Sequence, residues 1–435
     1  MKQLVPFVLF CSPIFAQDQL TDLAPGYQLQ AYVNQGGGFG KTLTNGEYLL
    51  INPFHIRLYA GDGSQLSELY VFSSVPGLPS QLSMLSGFDV NPSQTLAIVA
   101  QQDQFRLFPL PPGNVTTAPI PVPANSFFFE DDQHVLFCGT LPAGDGAVWR
   151  LDVATGTFEL VIRIDYPDTF PNSSIISITR DSQGDLYVAS LLASSSALNT
   201  QIVRFDAAVV AGAPPAVDET AGVFLQEYLG FIPIDLEYEA GTDTLFLAVG
   251  CFDSGFLISF LGRLDTSGVL LEPLLRTTFG NMIRTTEVVA GSVPGAFRPY
   301  QPSHGGTLRI QTIGGVDANH RVDLTPSRPR LDIAASAPGT SERLVEGGPP
   351  NGIGLLFVGP ASGVLVPEPY YFIGGLPLFF GLSANMFADT PFLLDGSGSH
   401  SKIFPDPGPT GMSAGQVVFL NPDLSLAGTS NVLVH

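Results

Sequence analysis

Apolar and polar positions along residues 27–325 fall into a recurring set of short runs. The most regular are nearly continuous: EYLLINP (47–53), TLAIVAQ (95–101), HVLFCGT (134–140), DLYVASL (185–191) and TLFLAVG (244–250). Apolar runs of this length, bounded by Gly, Pro, Asp and Ser, predict strands buried on both faces. Looser runs stand before them in YQLQAYV, LSGFDVN, NSFFFED, SIISITR and IPIDLEY, and RTTEVVA opens a sixth set. Turn-rich segments follow (AGDG, PPGN, DVATG, DTSG), each leading to a fourth run such as SELYVF or TFELVIRI. Those turns suit hairpins. Each unit therefore reads as four strands, a to d, with the continuous run as b.

Strand c carries a marker. Six of the 15 arginines, Arg57, Arg106, Arg150, Arg204, Arg263 and Arg309, follow an apolar residue and precede Leu, Phe or Ile, at intervals of 49, 44, 54, 59 and 46 residues. Four strands recurring six times at a period near 50 is the sequence form of a propeller. The arginines read as struts between blades, their stems packed and their guanidiniums paired. Asp152, Asp206 and Asp265, two residues after three of them, are expected to cap the c–d turn.

The segment ISITRDSQGDLYVAS (176–190) resembles the NHL repeat: an apolar strand, an Asp-x-x-Gly turn and a strand opening Leu-Tyr-Val-Ala. SGFDVNPSQTLAIVA (86–100) and IDLEYEAGTDTLFLAVG (234–250) repeat it loosely. The resemblance is to six-bladed propellers of the NHL and gluconolactonase-like (SMP-30-like) type, and it covers residues 27–325. It implies a central channel with d–a and b–c loops on one face. In the gluconolactonase-like members a metal held there by Glu, Asn and Asp polarises a lactone carbonyl. This chain does not reproduce that family's motifs in register, so no catalytic residue is carried over. AFRPYQPS (296–303) makes a poor second strand for unit six, which leaves seven blades or an irregular closing blade as alternatives.

The repeat stops at TPSRPR (325–330). Beyond it GLLFVGP, PYYFIGG, LPLFFGL, PFLLDG, QVVFLNP and NVLVH predict a small β-sandwich. It resembles the C-terminal β-modules of secreted bacterial proteins, which implies a role in attachment or export. The expectation is an all-β chain: a signal peptide over 1–16, a six-bladed β-propeller over 17–325, a linker at 326–330 and a β-sandwich over 331–435.

Composition adds an address. Lys2, the apolar LVPFVLF and Ala16 before Gln17 read as a secretory signal, which places the chain outside the cell or in its envelope. Losing Lys2 with it takes the formal charge from −21 to −22. Such a surface repels phosphate backbones, which argues against nucleic acid, and favours cations, glycans or exported proteins as partners. No segment of the mature chain is long and apolar enough for a transmembrane helix. Cys138 and Cys251 fall in equivalent strands of non-adjacent units, so two free thiols are expected rather than a disulfide.

Three motifs suggest chemistry and fail on context. GMSAG (411–415) has the nucleophile-elbow spacing, but a loop precedes Ser413 and a strand follows. GGGFGKT (36–42) is one residue short of a phosphate loop, leads into a strand, and reads as a flexible a–b loop of blade one. DGSGSH (395–400) lacks the spaced acids of a calcium loop and reads as a turn. Tyr300, Tyr370 and Tyr371 are the candidates for stacking on sugars, and Trp149 falls within a c strand.

The channel mouth is the better candidate site. Acids occur in the a strands at Asp89, Glu130, Asp235, Glu237 and Glu287, and the b–c loops bring His55, Asp103, Asp145, Asn199, Asp253 and His304. Together they could hold calcium or another divalent cation through oxygen ligands. The reading that results is a non-catalytic binding scaffold, with a metal-dependent lactonase and a structural envelope protein as alternatives.

Overall fold

The computed structural model describes residues 22–434 except 34–37, 212–217, 289–307, 315–320, 361–370, 379–386, 406–412 and breaks of one to three residues. The proposed signal peptide, Asp103, Tyr300, His304 and Tyr370 lie outside the described residues. What is described is all-β: a six-bladed propeller followed by a small β-sandwich.

Blades one to five occupy residues 39–71, 87–119, 126–164, 174–229 and 232–276, each an antiparallel sheet in simple up-and-down order. The second strands explain why their sequences are continuously apolar. In blade five Leu245, Leu247 and Val249 pack toward blade four, while Phe246 and Ala248 pack toward blade six. Alternate side chains of one strand point to opposite faces of its sheet, and here both faces are covered by neighbours. Blade four divides likewise: Leu186 and Val188 face blade three, Tyr187 and Ala189 face blade five. Five apolar cores thus sit between consecutive blades.

The sixth blade corrects the expected register. Its inner strand is Asn281–Val288, its second Leu308–Gly314 and its third Arg321–Pro326. Its fourth is supplied by Tyr27–Val33, paired antiparallel with the third. YQLQAYV is therefore the outer strand of blade six and not the first strand of blade one. The first strand of blade one is Phe39–Thr42, within the stretch read above as a flexible loop. A ring closed by strands from both ends of the propeller segment leaves no blade unpartnered. The same shift moves Arg309 to a second strand, opposite Glu287 of the inner strand, while the other five arginines lie on third strands. AFRPYQPS lies outside the described residues, and the second strand of the blade is Leu308–Gly314.

The sandwich comprises one sheet of Arg330–Ala337, Thr340–Glu346 and His400–Pro405, and a second built around Ile353–Pro360 and Ser413–Leu420. Leu331 and Val345 of the first pack on Leu356, Val417 and Phe419 of the second. Ser413 opens a strand paired with Pro360, which removes the strand-to-helix turn that a nucleophile elbow needs. Asp395 accepts from the Ser397 and Ser399 amides and closes the turn expected of DGSGSH.

Few residues separate the propeller from the sandwich. Pro326 ends blade six and Arg330, 1% exposed, begins the sandwich. Arg330 lies 3.4 Å from Glu272 of blade five, which also pairs with Arg263 at 2.9 Å and accepts from Asn431 Nδ2 at 2.5 Å. Both arginines, Glu272 and Asn431 are buried. The two parts thus share a desolvated charge cluster in which each member leans on the others.

Candidate functional site

The inner strands of the six blades surround a channel of about 630 Å³. They run in one direction, so their first residues meet at the end carrying the b–c loops. Their last residues meet at the end carrying the a–b turns. Phe39, Leu85, Phe127 and Ile234 line the first end. Arg284 reaches across it, its guanidinium 3.7 Å from the Phe39 ring centroid and bonded to the Leu85 carbonyl at 3.2 Å. Lys41, Asp89, Glu130, Arg180, Glu237 and Glu287 line the second end. One end is apolar and aromatic; the other is charged.

All five a-strand acids named from the sequence line this channel. Four of them bind neighbouring blades. Asp89 of blade two pairs with Lys41 of blade one at 3.1 Å and accepts from the Phe129 amide of blade three at 2.9 Å. Glu130 of blade three holds Arg180 of blade four at 2.9 Å and Arg150 of its own blade at 2.6 Å. Asp235 of blade five accepts from the Ser177 hydroxyl of blade four and from the Thr286 amide and hydroxyl of blade six. Glu287 of blade six accepts from the amide and hydroxyl of Thr42, on blade one. These bonds run unbroken around the ring. They are clasps between blades.

The b–c residues do not join them. The second strand of blade three, His134–Thr140, has Glu130 near one end and Asp145 just beyond the other. Seven residues of strand span about 20 Å. A calcium ion holds its ligands at about 2.3–2.6 Å, so the expected ring of loop residues and strand acids is divided between opposite ends. The described loop residues are also engaged locally. Asp145 pairs with Arg163, Asn199 Nδ2 donates to Glu227 at 2.8 Å, and His55 lies 2.5 Å from Asn52 Nδ2. Burial and nearby Arg57 push the His55 imidazole below its ordinary pKa. Asp253 ends the second strand of blade five. Among the described residues no group of three His, Cys, Asp or Glu is arranged to hold a metal.

Glu237 differs from the other four acids in having a single donor among the described residues. It accepts from the Val288 amide, and burial pushes its carboxyl up to about 8 against the opposing pull of Lys41. Asp235 and Glu287 beside it add to the rise. Burial likewise raises Asp235 and Glu287, while their hydrogen-bond donors pull them back. Asp89 is the main cause of a raised Lys41 ammonium. Lys41 is 36% exposed although it stands well inside the molecule, because its free surface faces the channel.

The arginine ladder proves to be mainly internal to blades. Arg57 pairs with Glu68 at 3.0 Å, Arg106 with Gln101, and Arg263 with Glu272. Arg150 also reaches the Val210 carbonyl of blade four, and Arg309 reaches Thr42 of blade one at 2.8 Å. Asp152 and Asp265 cap their c–d turns by accepting from Ala154, and from Ser267 and Val269. Asp206 instead precedes the short helix Ala207–Val210 and makes no side-chain cap. Cys138 is a free thiol buried between blades three and four, with burial raising it to about 12, and Cys251, half-buried in blade five, is not bonded to it.

No protein-family model matches the chain, and no curated protein matches it. Among solved structures, one described as the crystal structure of the tricorn protease is similar in structure at 8% identity and a TM-score of 0.37. The match covers 69% of this chain and 34% of the other, so this chain spans about a third of that structure's length.

Proposed function

We propose that the chain is a secreted, non-catalytic recognition scaffold. Its propeller engages a glycan or exported protein at the charged channel end, and its sandwich serves attachment or assembly. The observation that carries this reading is the unbroken ring of clasps. Asp235 and Glu287 commit both carboxylate oxygens to neighbouring blades, and Asp89 and Glu130 are spent on bonded partners. A lactonase would need such oxygens for its ion, so the lactonase alternative is not favoured. A rigid, rimmed channel suits recognition better.

The turn at 181–185 supports an NHL-type propeller. Asp181 accepts from the Gln183 and Asp185 amides, and Gly184 takes φ +92°, the backbone that the Asp-x-x-Gly pattern requires. The surface of the sandwich supports attachment. Leu393, Ile403 and Leu424 are 72%, 63% and 65% exposed, and Ile403 lies on an edge strand. Glycan-array binding by the intact chain and by Asp181→Ala and Ile403→Lys variants tests the division of labour. Binding lost in Asp181→Ala and kept in Ile403→Lys is expected; the reverse would move recognition to the sandwich.

A further inference from the structure

Resting on the scaffold reading, we propose that the channel also takes a small organic cation, an ammonium group on an apolar body. The ammonium lies against Glu237, and the body lies toward Phe127 and Ile234, beside the Arg284 guanidinium that covers the Phe39 ring. Three observations converge on this ligand. The cavity is large enough for such a molecule at about 630 Å³. Its wall is divided, aromatic and aliphatic where the inner strands begin and charged where they end. Asp89 is matched by Lys41, Glu130 by Arg180 and Arg150, and Glu287 lies near Arg309, while Asp181, Asp235 and Glu237 have no ion-pair partner among the described residues.

Glu237 is the carboxylate left to meet the ligand: among the described residues its one donor is the Val288 amide of blade six, whereas each of the other strand acids engages two or more donors. The groups around it are Asp235 on its own strand, Glu287 and the Val288 amide on blade six, and Lys41 on blade one. Arg180 and Asp181 stand on blade four, and Arg284 on blade six, along the same wall. Lys41 is neutralised by Asp89 at 3.1 Å. A divalent metal ion fits this setting poorly, because it needs six to eight converging oxygens. An ammonium of single charge needs only a few acceptors.

The protonation of Glu237 gives the ligand a signature. Its carboxyl keeps its proton up to about pH 8, held by burial among Asp235 and Glu287. An arriving cation favours the ionised form, so binding expels that proton, and affinity rises about tenfold per pH unit below 8.

Titration calorimetry on the intact chain tests this, with 2-phenylethylammonium as probe and 2-phenylethanol and 3-phenylpropanoate as controls. The expected result is binding of the ammonium alone, proton release in buffers of differing ionisation heat, and tenfold tighter binding at pH 7 than at pH 6. Glu237→Gln should bind at least tenfold more weakly and lose the pH dependence while melting as a folded protein. Equal binding of the alcohol, no binding between pH 6 and 9, or pH-independent binding by the parent chain would each overturn the inference. Glycan-array binding that persists in a chain indifferent to the ammonium would overturn this inference and leave the scaffold reading standing. Conversion of the probe to a new species by the chain would instead overturn the scaffold reading.

Discussion

Asp235 shows how much one side chain holds. Its two oxygens tie blades four, five and six through Ser177, Thr286 and the Leu236 amide. Asp235→Ala should cost about 2–4 kcal/mol in denaturant-induced unfolding, because buried donors on neighbouring blades lose their acceptor. Glu237 should behave differently. Its carboxyl lies above its ordinary value, so the folded chain keeps a proton that the unfolded chain gives up. Stability therefore falls as pH rises from the ordinary carboxylate range to about 8 and levels off above it. Thermal melting of Glu237→Gln across pH 5–9 should show a shallower decline than the parent. Asp235 and Glu287 shift in the same direction and add to the decline, while the lowered His55 and His400 oppose it. The sequence pointed to all five acids, since a carboxylate in an apolar strand demands an explanation. It could not show that Glu287 meets Thr42, 245 positions away. Partners that distant are set by ring closure, which leaves no local pattern.

Among elements, second strands were the most legible, because burial on both faces imposes an unbroken apolar run. Inner strands were less so. Phe39–Thr42 is four residues behind a glycine-rich stretch, and its Lys41 has no place in an apolar template. Blade six deceived for a different reason: its fourth strand comes from the start of the chain, so a repeat counted in order assigns Tyr27–Val33 to the wrong blade. The arginine ladder marked third strands five times and a second strand once, since a buried Arg is useful wherever a carboxylate faces it. The contact between propeller and sandwich left no sequence signal at all. Glu272→Ala removes the shared anion and strands Arg263 and Arg330 in a buried site. A loss of about 3–5 kcal/mol is expected, with one calorimetric transition splitting into two as the parts uncouple. A single unshifted transition would show that the cluster contributes nothing to their coupling.

At the scale of the whole molecule, the ring has one unlike seam. Apolar cores join blades one to two and onward to six. Among the described residues the six-to-one seam adds polar pairs among Thr42, Glu287, Arg309 and Gln311 to the smaller apolar cluster of Tyr48, Leu50 and Tyr59, with Arg309 over the Tyr48 ring at 4.9 Å. This is where the two ends of the propeller segment meet, and it is expected to exchange amide hydrogens sooner than the other five seams. Fold class followed from period and patterning alone. The candidate site followed only in part, because sequence places acids on strands but does not say which end of a channel each strand end occupies.

The central claim is that the channel acids have two roles, clasps and one ligand-facing carboxylate. Thermal melting of Asp235→Asn, Glu287→Gln and Glu237→Gln at pH 8 tests it most directly. The first two should melt several degrees below the parent, and Glu237→Gln should melt at or above it. If Glu237→Gln fell with the other two, or if Asp235→Asn and Glu287→Gln melted like the parent, that division of roles would be contradicted.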